Sequence, residues 1–396
     1  MQGPRKGDDV VNVVLAGGGT AGHTSPLIAT AEVLRERGLT CSAIGTARGL
    51  ETRVIPAAGL ELDLIAPVPL PRTPNLDLVK VPWRLAGSVR EARAILKARR
   101  ADVLVGFGGY VSMPAYLAAR ALRIPVVIHE QNAVPGLANK VASRFAVTTA
   151  VSFPDTPLPR AQFLGLPVRA AIADLARESH DGRATRRAAA RESLGLDPDR
   201  RTLLVSGGSQ GARSINTALL AARDDLLARG WQILHVWGPK NFVDHTSVVI
   251  AESGARYVPV AFVDRMEDAY AAADLMVGRS GAGTVVETAV IGLPAIFVPL
   301  PHGNGEQARN ADSLVAAHGA VLVPDAELDG PRLAREVSAI LSDSDVLSRM
   351  SAAGPALMPA DAAHALADAV ETAAGGRVAG VRGAGKRAAG GRHGVA

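Results

Sequence analysis

The amino-acid sequence predicts an α/β protein with two facing Rossmann-like domains, each built on a doubly wound parallel sheet. Short apolar runs alternate with alanine-rich helical segments, which is typical of a parallel sheet covered by helices on both faces. The two halves of the chain also repeat the same order of strands and glycine-rich turns. Because ligands bind beyond the carboxyl ends of the strands in such sheets, we expect a site in an interdomain cleft.

The first half of the chain contains four predicted strands. A buried strand at residues 10–16 runs into a glycine-rich turn and a helix that ends near Arg37. Apolar runs at residues 40–44, 103–106 and 126–129 are predicted to be further strands. Of these, the second follows Ala-Asp and ends in glycines, and the third follows a proline and ends in polar residues.

The second half repeats that order. A strand at residues 203–206 feeds a glycine-rich turn, a strand after Asp274 ends in glycines, and a strand after Pro294 ends in polar residues. We place the domain boundary near Gly165, because the chain becomes rich in proline and then in charge there. The predicted organisation is a flexible N-terminus (1–9), a first domain (10–165), a second domain (166–374) whose last helix could return to the first, and a disordered basic tail (375–396).

Charge and cysteine content exclude several classes of protein. The 396 residues include 43 Lys and Arg against 38 Asp and Glu, but five of the basic residues lie in the tail, which has no acidic residue. The rest of the chain is therefore neutral, so we expect no nucleic-acid partner. A single cysteine, Cys41, excludes disulfides and cysteine-based metal sites. With no apolar run of ~18 residues and no signal peptide, the sequence predicts a cytoplasmic protein.

Three glycine-rich turns predict a site for a phosphate-bearing ligand. They lie at residues 17–23, 207–211 and 278–287, each between a strand and a helix. Glycine lets backbone amides approach an anion and a helix N-terminus attracts negative charge, although such turns often serve close packing alone. The spacing matches neither the dinucleotide fingerprint nor a P-loop. We predict no cofactor and no metal ion, and expect backbone amides with Arg169 or Arg279 to balance the phosphate charge.

Polar residues follow one predicted strand in each half. In the first half they are residues 129–132, with the sequence His-Glu-Gln-Asn, and in the second half they lie within residues 301–310. Amides and carboxylates gathered at strand ends suit a ligand rich in hydroxyl groups, such as a sugar, whereas simple solvation of a loop is the alternative explanation.

Seven short motifs occur in order along the chain, at residues 18–23, 106–110, 129–132, 165–169, 207–213, 279–287 and 303–307, with Asn310 after the last. Together they resemble the MurG family, the peptidoglycan N-acetylglucosaminyltransferases of glycosyltransferase family 28, over roughly residues 10–370. The resemblance implies a GT-B fold and inverting transfer of GlcNAc from UDP-GlcNAc to the C4 hydroxyl of MurNAc in lipid I. Lipid I is undecaprenyl-pyrophosphoryl-MurNAc-pentapeptide, and the products would be lipid II and UDP.

The resemblance also implies the residues that bind the donor. In the family pattern Glu287 would hold the ribose hydroxyls, Gln307 the GlcNAc hydroxyls, and Val263 would offer backbone groups to uracil. The first domain would hold lipid I. The implied UDP-GlcNAc contacts are Thr20, Ala21, Gly22, Asn132, Arg169, Ser209, Val263, Ala282, Gly283, Thr284, Val285, Val286, Glu287 and Gln307.

Transfer to a hydroxyl requires a base that accepts its proton, and His23 is the leading candidate. It lies at the start of a predicted helix, where the helix dipole disfavours the imidazolium and keeps the ring able to accept a proton. The alternatives are that His23 binds a phosphate group without taking a proton, or that Glu130 is the base. Tyr110 and Asn216 are further candidates for positioning the substrates.

Residues 71–100 predict contact with a membrane surface. The segment carries eight basic residues against two acidic ones, with apolar residues that include Trp83 among the first of them. Apolar area combined with basic charge lets a peripheral protein bind anionic lipid, although the same pattern fits a core helix with a solvated basic face. Since lipid I is a membrane lipid, we expect a protein peripheral to the cytoplasmic face of the cell membrane.

Other classes of protein share this fold. A UDP-GlcNAc epimerase would turn over the donor without a lipid acceptor. A dinucleotide-dependent oxidoreductase is disfavoured because no acidic residue ends the second strand, and a non-catalytic nucleotide-binding module would not need the first domain.

Three residues depart from the family pattern: Ala21 replaces a glycine, Gly283 stands where leucine is usual, and Glu306 where glutamine is common.

Overall fold

The computed structural model describes residues 10–47, 49–68, 77–208, 211–242, 247–301 and 304–389. The chain forms two compact units: unit 2 is Ala170–Ala360, and unit 1 contains the residues through Arg169 together with those from Asp361 onward. The N-terminus predicted to be flexible, residues 1–9, lies outside the described residues, as do residues 390–396 of the predicted tail. Unit 2 is shorter at both ends than the second domain expected from the sequence.

Unit 1 contains a parallel sheet of seven strands. Its elements up to Arg169 are β1 (Asn12–Ala16), α1 (Ala21–Glu36), β2 (Thr40–Thr46), α2 (Glu51–Ala57), β3 (Glu61–Ile65), α3 (Asp77–Ala98), β4 (Val103–Gly106), α4 (Gly109–Ala121), β5 (Val126–Glu130), α5 (Leu137–Ala142), β6 (Thr148–Val151) and β7 (Ala161–Phe163). The strand order is β3-β2-β1-β4-β5-β6-β7, and every pair is parallel.

Unit 2 repeats this topology. Its elements are α6 (Ala170–Arg177), α7 (His180–Ser193), β8 (Thr202–Ser206), α8 (Arg213–Ala228), β9 (Gln232–Val236), β10 (Val249–Ile250), β11 (Arg256–Val260), α9 (Met266–Ala272), β12 (Leu275–Gly278), α10 (Ala282–Ile291), β13 (Ala295–Phe297), α11 (Glu306–Ala316), β14 (Ala320–Leu322), the 3-10 helix Asp325–Glu327, α12 (Gly330–Leu341) and α13 (Ser344–Leu357). The order is β10-β11-β9-β8-β12-β13-β14, with only β10 and β11 antiparallel among the strand pairs of the described residues.

In both sheets the order in which successive strands are added reverses at equivalent points, between β1 and β4 in unit 1 and between β8 and β12 in unit 2. Alternate residues of each strand face opposite cores: Leu15 packs with helix α1 on one side of the sheet, and Val14 packs with α4 on the other. The prediction of two doubly wound, Rossmann-like sheets is confirmed. The carboxyl end of the strands at each switch point is the position where such sheets bind ligands.

The last helix, α14 (Ala362–Ala389), belongs to unit 1. Leu366 and Val370 are fully buried in the same apolar cluster as Leu27 of α1. Arg37, just after α1, donates hydrogen bonds to Asp368 and to Glu371. The helix continues to Ala389 and so enters the segment for which the sequence predicts disorder, residues 375–396.

Candidate active site

The first glycine-rich turn, between β1 and α1, is held by a buried carboxylate. Glu51 is fully buried, and its carboxylate accepts hydrogen bonds from the Gly19 amide at 2.9 Å and from the Thr46 hydroxyl at 2.8 Å. A Cβ at Gly18 would come within 2.6 Å of the Glu51 carboxylate, so the turn needs glycine there for packing. The turn was predicted to present backbone amides to a phosphate, but the Gly19 amide is already hydrogen-bonded to the Glu51 side chain.

His23 lies in the first turns of α1, next to the exposed residues Thr20, Ala21 and Gly22. Its ring is half-buried, and its Nδ1 lies 3.0 Å from Oε1 of Gln131. Gly109, the first residue of α4, lies on another side of the ring. A Cβ placed on Gly109 would be 3.6 Å from Nε2 of His23. The imidazole is thus held at Nδ1 and flanked by a glycine at Nε2.

The loop after β5 carries the partner of His23. Gln131 is buried, and its Nε2 lies 3.2 Å from Nδ1 of His129 and 3.0 Å from the His129 carbonyl oxygen. Nε2 of His129 lies 2.8 Å from the carbonyl oxygen of Gly165. Burial lowers the pKa of His129 to about 4, partly opposed by the hydrogen bond to Gly165, so His129 is neutral at neutral pH.

Glu130 holds the same loop from inside. Its side chain is 2% exposed, and its two oxygens accept hydrogen bonds from the amides of Asn132 and Gly136, each at 3.0 Å, and from Nδ2 of Asn139 at 2.9 Å. Both oxygens of this buried carboxyl group are therefore already occupied by hydrogen-bond donors of the loop. The geometry therefore gives Glu130 a role in holding the loop and argues against it as the alternative base.

The two residues expected to position substrates have different surroundings. Tyr110 is half-buried at the start of α4, with its hydroxyl 3.3 Å from the Thr46 hydroxyl, so it borders the first turn. Asn216 is only 3% exposed and belongs to the core of unit 2. It donates to the Trp237 carbonyl at 3.2 Å, and its Oδ1 lies 3.1 Å from Nε2 of His235. Asn216 thus holds the end of β9 from the core of unit 2, and its role in positioning a substrate stays a prediction.

The third glycine-rich turn leads into α10 and presents its residues unequally. Ala282, Val285 and Val286 are buried, so only their backbone can meet a ligand, whereas Gly283, Thr284 and Glu287 are partly exposed. The Glu287 carboxylate accepts a hydrogen bond from the hydroxyl of Tyr270 at 2.9 Å. Tyr270 is 4% exposed, so it fixes the direction of Glu287 from the core.

Arg279, in the same turn, is fully engaged within unit 2. Its guanidinium donates to Asp325, to the Ser214 hydroxyl, and to the carbonyls of Val298 and Pro299. These contacts hold the guanidinium against other residues of unit 2, and the expectation that Arg279 balances phosphate charge stays a prediction. Arg169 remains partly exposed, and its positive charge acts on Glu32 of α1.

The remaining donor candidates lie at loop positions. Val263 is partly exposed after β11, and Asn132 is partly exposed after β5. Gln307, in the first turn of α11, accepts a hydrogen bond from the Leu300 amide at 3.0 Å, so its amide oxygen already has a partner within unit 2. Ser209 lies outside the described residues, as do His302 and Gly303 of the second polar cluster.

Sequence reasoning missed three residues that support the candidate loops of the two units. Glu51 and Tyr270 carry no local signal, because their partners lie across the turn and on another helix. Gln131 stood inside a motif, but its contact with His23 joins positions 108 residues apart. In the described part of the chain, no group of three or more His, Cys, Asp or Glu residues could hold a metal ion.

Two family models identify the chain as a glycosyltransferase of family 28. The model of the glycosyltransferase family 28 N-terminal domain matches residues 13–151, and the model of the C-terminal domain matches residues 202–371. The two matched ranges contain the central strands of unit 1 and of unit 2, respectively.

Similar proteins and a similar solved structure show which family of these glycosyltransferases the chain belongs to. The chain is 66% identical to the UDP-N-acetylglucosamine–N-acetylmuramyl-(pentapeptide) pyrophosphoryl-undecaprenol N-acetylglucosamine transferase of Cutibacterium acnes, over 92% of this chain and 98% of that protein. It is 54% identical to the enzyme of the same name from Nocardioides sp., over 90% and 96%. The crystal structure of Acinetobacter baumannii MurG has a TM-score of 0.73 at 26% identity, covering 91% of this chain and 99% of that one. The chain belongs to the MurG family, which confirms the resemblance carried by the motifs.

Proposed function

We propose that this protein transfers GlcNAc from UDP-GlcNAc to the C4 hydroxyl of MurNAc in lipid I, which yields lipid II and UDP. The observation that carries the proposal is the end-to-end similarity to transferases named for that activity, which extends through both family domains. The epimerase alternative gains no support from these relatives.

The donor is assigned mainly to unit 2. The carboxylate of Glu287, aimed by Tyr270, is suited to accept hydrogen bonds from the two ribose hydroxyls. The NH2 group of Gln307 is suited to a GlcNAc hydroxyl, because its carbonyl is taken by Leu300. The first turn of α10 offers backbone amides and the positive end of the helix dipole to the diphosphate.

The reaction replaces one bond at C1 of GlcNAc by another. The C4 oxygen of MurNAc bonds to C1, the bond from C1 to the β-phosphate oxygen breaks, and UDP leaves with that electron pair. His23 of unit 1 takes the proton of the C4 hydroxyl. Negative charge grows on the leaving diphosphate, and backbone amides with Arg169 stabilise it.

The direct test is transfer from radiolabelled UDP-GlcNAc, with a lipid I analogue present or omitted. We expect label in the lipid fraction only when the analogue is present, with one UDP released for each sugar transferred. UDP release or sugar conversion at the same rate without the analogue would instead indicate a hydrolase or an epimerase. A preparation boiled before the assay is the blank.

The same proposal places the protein at the cytoplasmic face of the cell membrane as a peripheral protein. No helix in the described part of the chain is both long and apolar enough to cross a membrane. On α3, Trp83 is 78% exposed, and the basic residues Lys80, Arg84, Arg90 and Arg93 of the same helix are exposed. An exposed tryptophan among basic residues is the chemistry of binding to anionic lipid. Residues 71–76 of the predicted segment lie outside the described residues.

We expect Trp83→Ser to reduce binding to anionic vesicles, and Lys80→Glu with Arg84→Glu to reduce it further, at ~1 kcal/mol or about fivefold per basic residue removed. Flotation of the protein with vesicles of anionic and of neutral lipid measures the effect. Leu220→Ser, a change of an exposed apolar residue on α8 of unit 2, is the matched control. Unchanged flotation of the Trp83 and charge variants would remove α3 from the membrane contact.

A further inference from the structure

A chain of hydrogen bonds connects the backbone of Gly165 to the ring of His23. It runs from the Gly165 carbonyl to His129, from His129 to Gln131, and from Gln131 to His23, with heavy-atom distances of 2.8, 3.2 and 3.0 Å. His129 and Gln131 are buried, so water does not compete for these groups. The direction of each bond follows from the chemistry of its partners.

The first direction is set at His129. A backbone carbonyl oxygen can only accept a hydrogen bond, so Nε2 of His129 carries the hydrogen that faces Gly165. The ring is neutral at neutral pH because burial lowers its pKa to about 4. A neutral imidazole has one N–H, so Nδ1 of His129 has a lone pair and accepts.

The second direction is set at Gln131. One end of its amide lies within hydrogen-bond distance of two acceptors, the His129 carbonyl oxygen at 3.0 Å and the His129 Nδ1 lone pair at 3.2 Å. Only the NH2 end of the amide, which has two hydrogens to donate, can satisfy both acceptors. The carbonyl end, Oε1, therefore faces His23 Nδ1.

We propose that Gln131 and His129 are positioning residues that hold His23 as the Nδ1–H tautomer, with the lone pair on Nε2. An acceptor facing Nδ1 requires a hydrogen there, so in the neutral ring Nε2 is the atom able to take a proton. The Cδ2–Nε2 edge of the ring faces Gly109, where a Cβ would lie 3.4 Å from Cδ2 and 3.6 Å from Nε2. The inference rests on the proposed function, because it names the atom of His23 that receives the proton of the acceptor hydroxyl.

The step balances without any further group. As the C4 oxygen bonds to C1 and UDP leaves with its electron pair, the C4 hydroxyl proton moves to Nε2 of His23. His23 becomes imidazolium, and its Nδ1–H bond to Gln131 Oε1 then becomes a charge-assisted hydrogen bond. No proton passes further along the chain, because an amide carbonyl accepts the bond without taking the hydrogen.

The test is the tautomer of His23 in the intact protein without substrate. Long-range ¹H–¹⁵N spectra of protein labelled at histidine separate a protonated ring nitrogen from an unprotonated one, and His23→Gln assigns the His23 signals. At about pH 8, where an ordinary histidine is neutral, we expect Nδ1 protonated and Nε2 unprotonated. A wild-type spectrum with His23 protonated at Nε2 would overturn the proposal by itself.

The matched variants separate positioning from general damage. Gln131→Met keeps the length of the side chain and removes both amide groups, so we expect the Nε2–H form to appear and kcat to fall by about tenfold or more with the donor KM unchanged. Ser152→Ala removes a buried hydroxyl, just after β6, that donates to the Glu130 carbonyl at 3.1 Å. It should leave the tautomer and kcat unchanged.

The positioning of His23 and the proposed function can be refuted separately. Transfer to lipid I with His23 in the Nε2–H form would refute the positioning by Gln131 and His129 and leave the proposed function intact. An Nδ1–H ring in a protein that shows no transfer would refute the proposed function and leave the positioning intact. Loss of kcat in Gln131→Met with the wild-type tautomer retained would also overturn the positioning.

Discussion

Replacing His23 with alanine will lower kcat by about 10²–10⁴-fold, the usual contribution of a positioned general base, while the KM for UDP-GlcNAc stays nearly constant. The reason is that the imidazole acts on the acceptor hydroxyl in the transition state, whereas the proposed ribose and sugar contacts lie on unit 2. Initial rates of label transfer at varied donor and saturating lipid I analogue measure both constants.

The competing role of His23 predicts a different pattern. If the ring bound a phosphate group without taking a proton, His23→Ala would raise a KM and leave kcat largely intact. Glu130→Gln is an informative companion variant, because the Glu130 carboxylate accepts three hydrogen bonds in the loop. An amide there would face donors with its own NH2 group, so we expect loss of stability, seen as a lower Tm, ahead of any effect on the chemical step.

The strands that build the site could be predicted because each is a short apolar run between turn residues. The runs at residues 103–106 and 126–129 coincide with β4 and β5 within one residue. Strands at the sheet margins were missed: β3 carries Glu61 and Asp63 on its partly exposed positions, and β7 is three residues long. Edge strands face water and need no continuous apolar pattern, so periodicity cannot identify them.

The contacts that orient the site could not be predicted, because they join residues distant in sequence. Arg279 and Asn216 have the residue types of ligand-binding groups, and their tertiary partners, Asp325 for one and His235 for the other, could not be inferred from the sequence. The return of the last helix to the first domain was among the expectations, but the packing of Leu366 with α1 that accompanies it is specified by no local pattern. Motifs thus indicated which loops form the site, and packing decided which side chains remain available to substrate.

Among the proposed donor contacts, we expect replacement of Glu287 to weaken the binding of UDP-GlcNAc most. Glu287→Ala removes a carboxylate proposed to accept hydrogen bonds from the ribose, and hydrogen bonds to charged groups contribute about 1.5–3 kcal/mol. We therefore expect UDP and UDP-GlcNAc to bind about 10- to 100-fold more weakly, with kcat much less affected than in the His23 variant. Calorimetric titration with UDP gives the affinity directly and needs no acceptor.

Tyr270→Phe and a modified ligand make the assignment specific. Tyr270→Phe keeps the carboxylate and the buried ring but removes the bond that aims Glu287, so it should weaken UDP binding by only about two- to tenfold, ~0.5–1.5 kcal/mol. For 2′-deoxy-UDP, which lacks one of the proposed partners, the loss caused by Glu287→Ala should shrink, because two changes to one interaction are not additive. Equal losses for UDP and 2′-deoxy-UDP would show that Glu287 does not contact the 2′-hydroxyl. In that case the 3′-hydroxyl would be the one ribose group left as a partner of the Glu287 carboxylate.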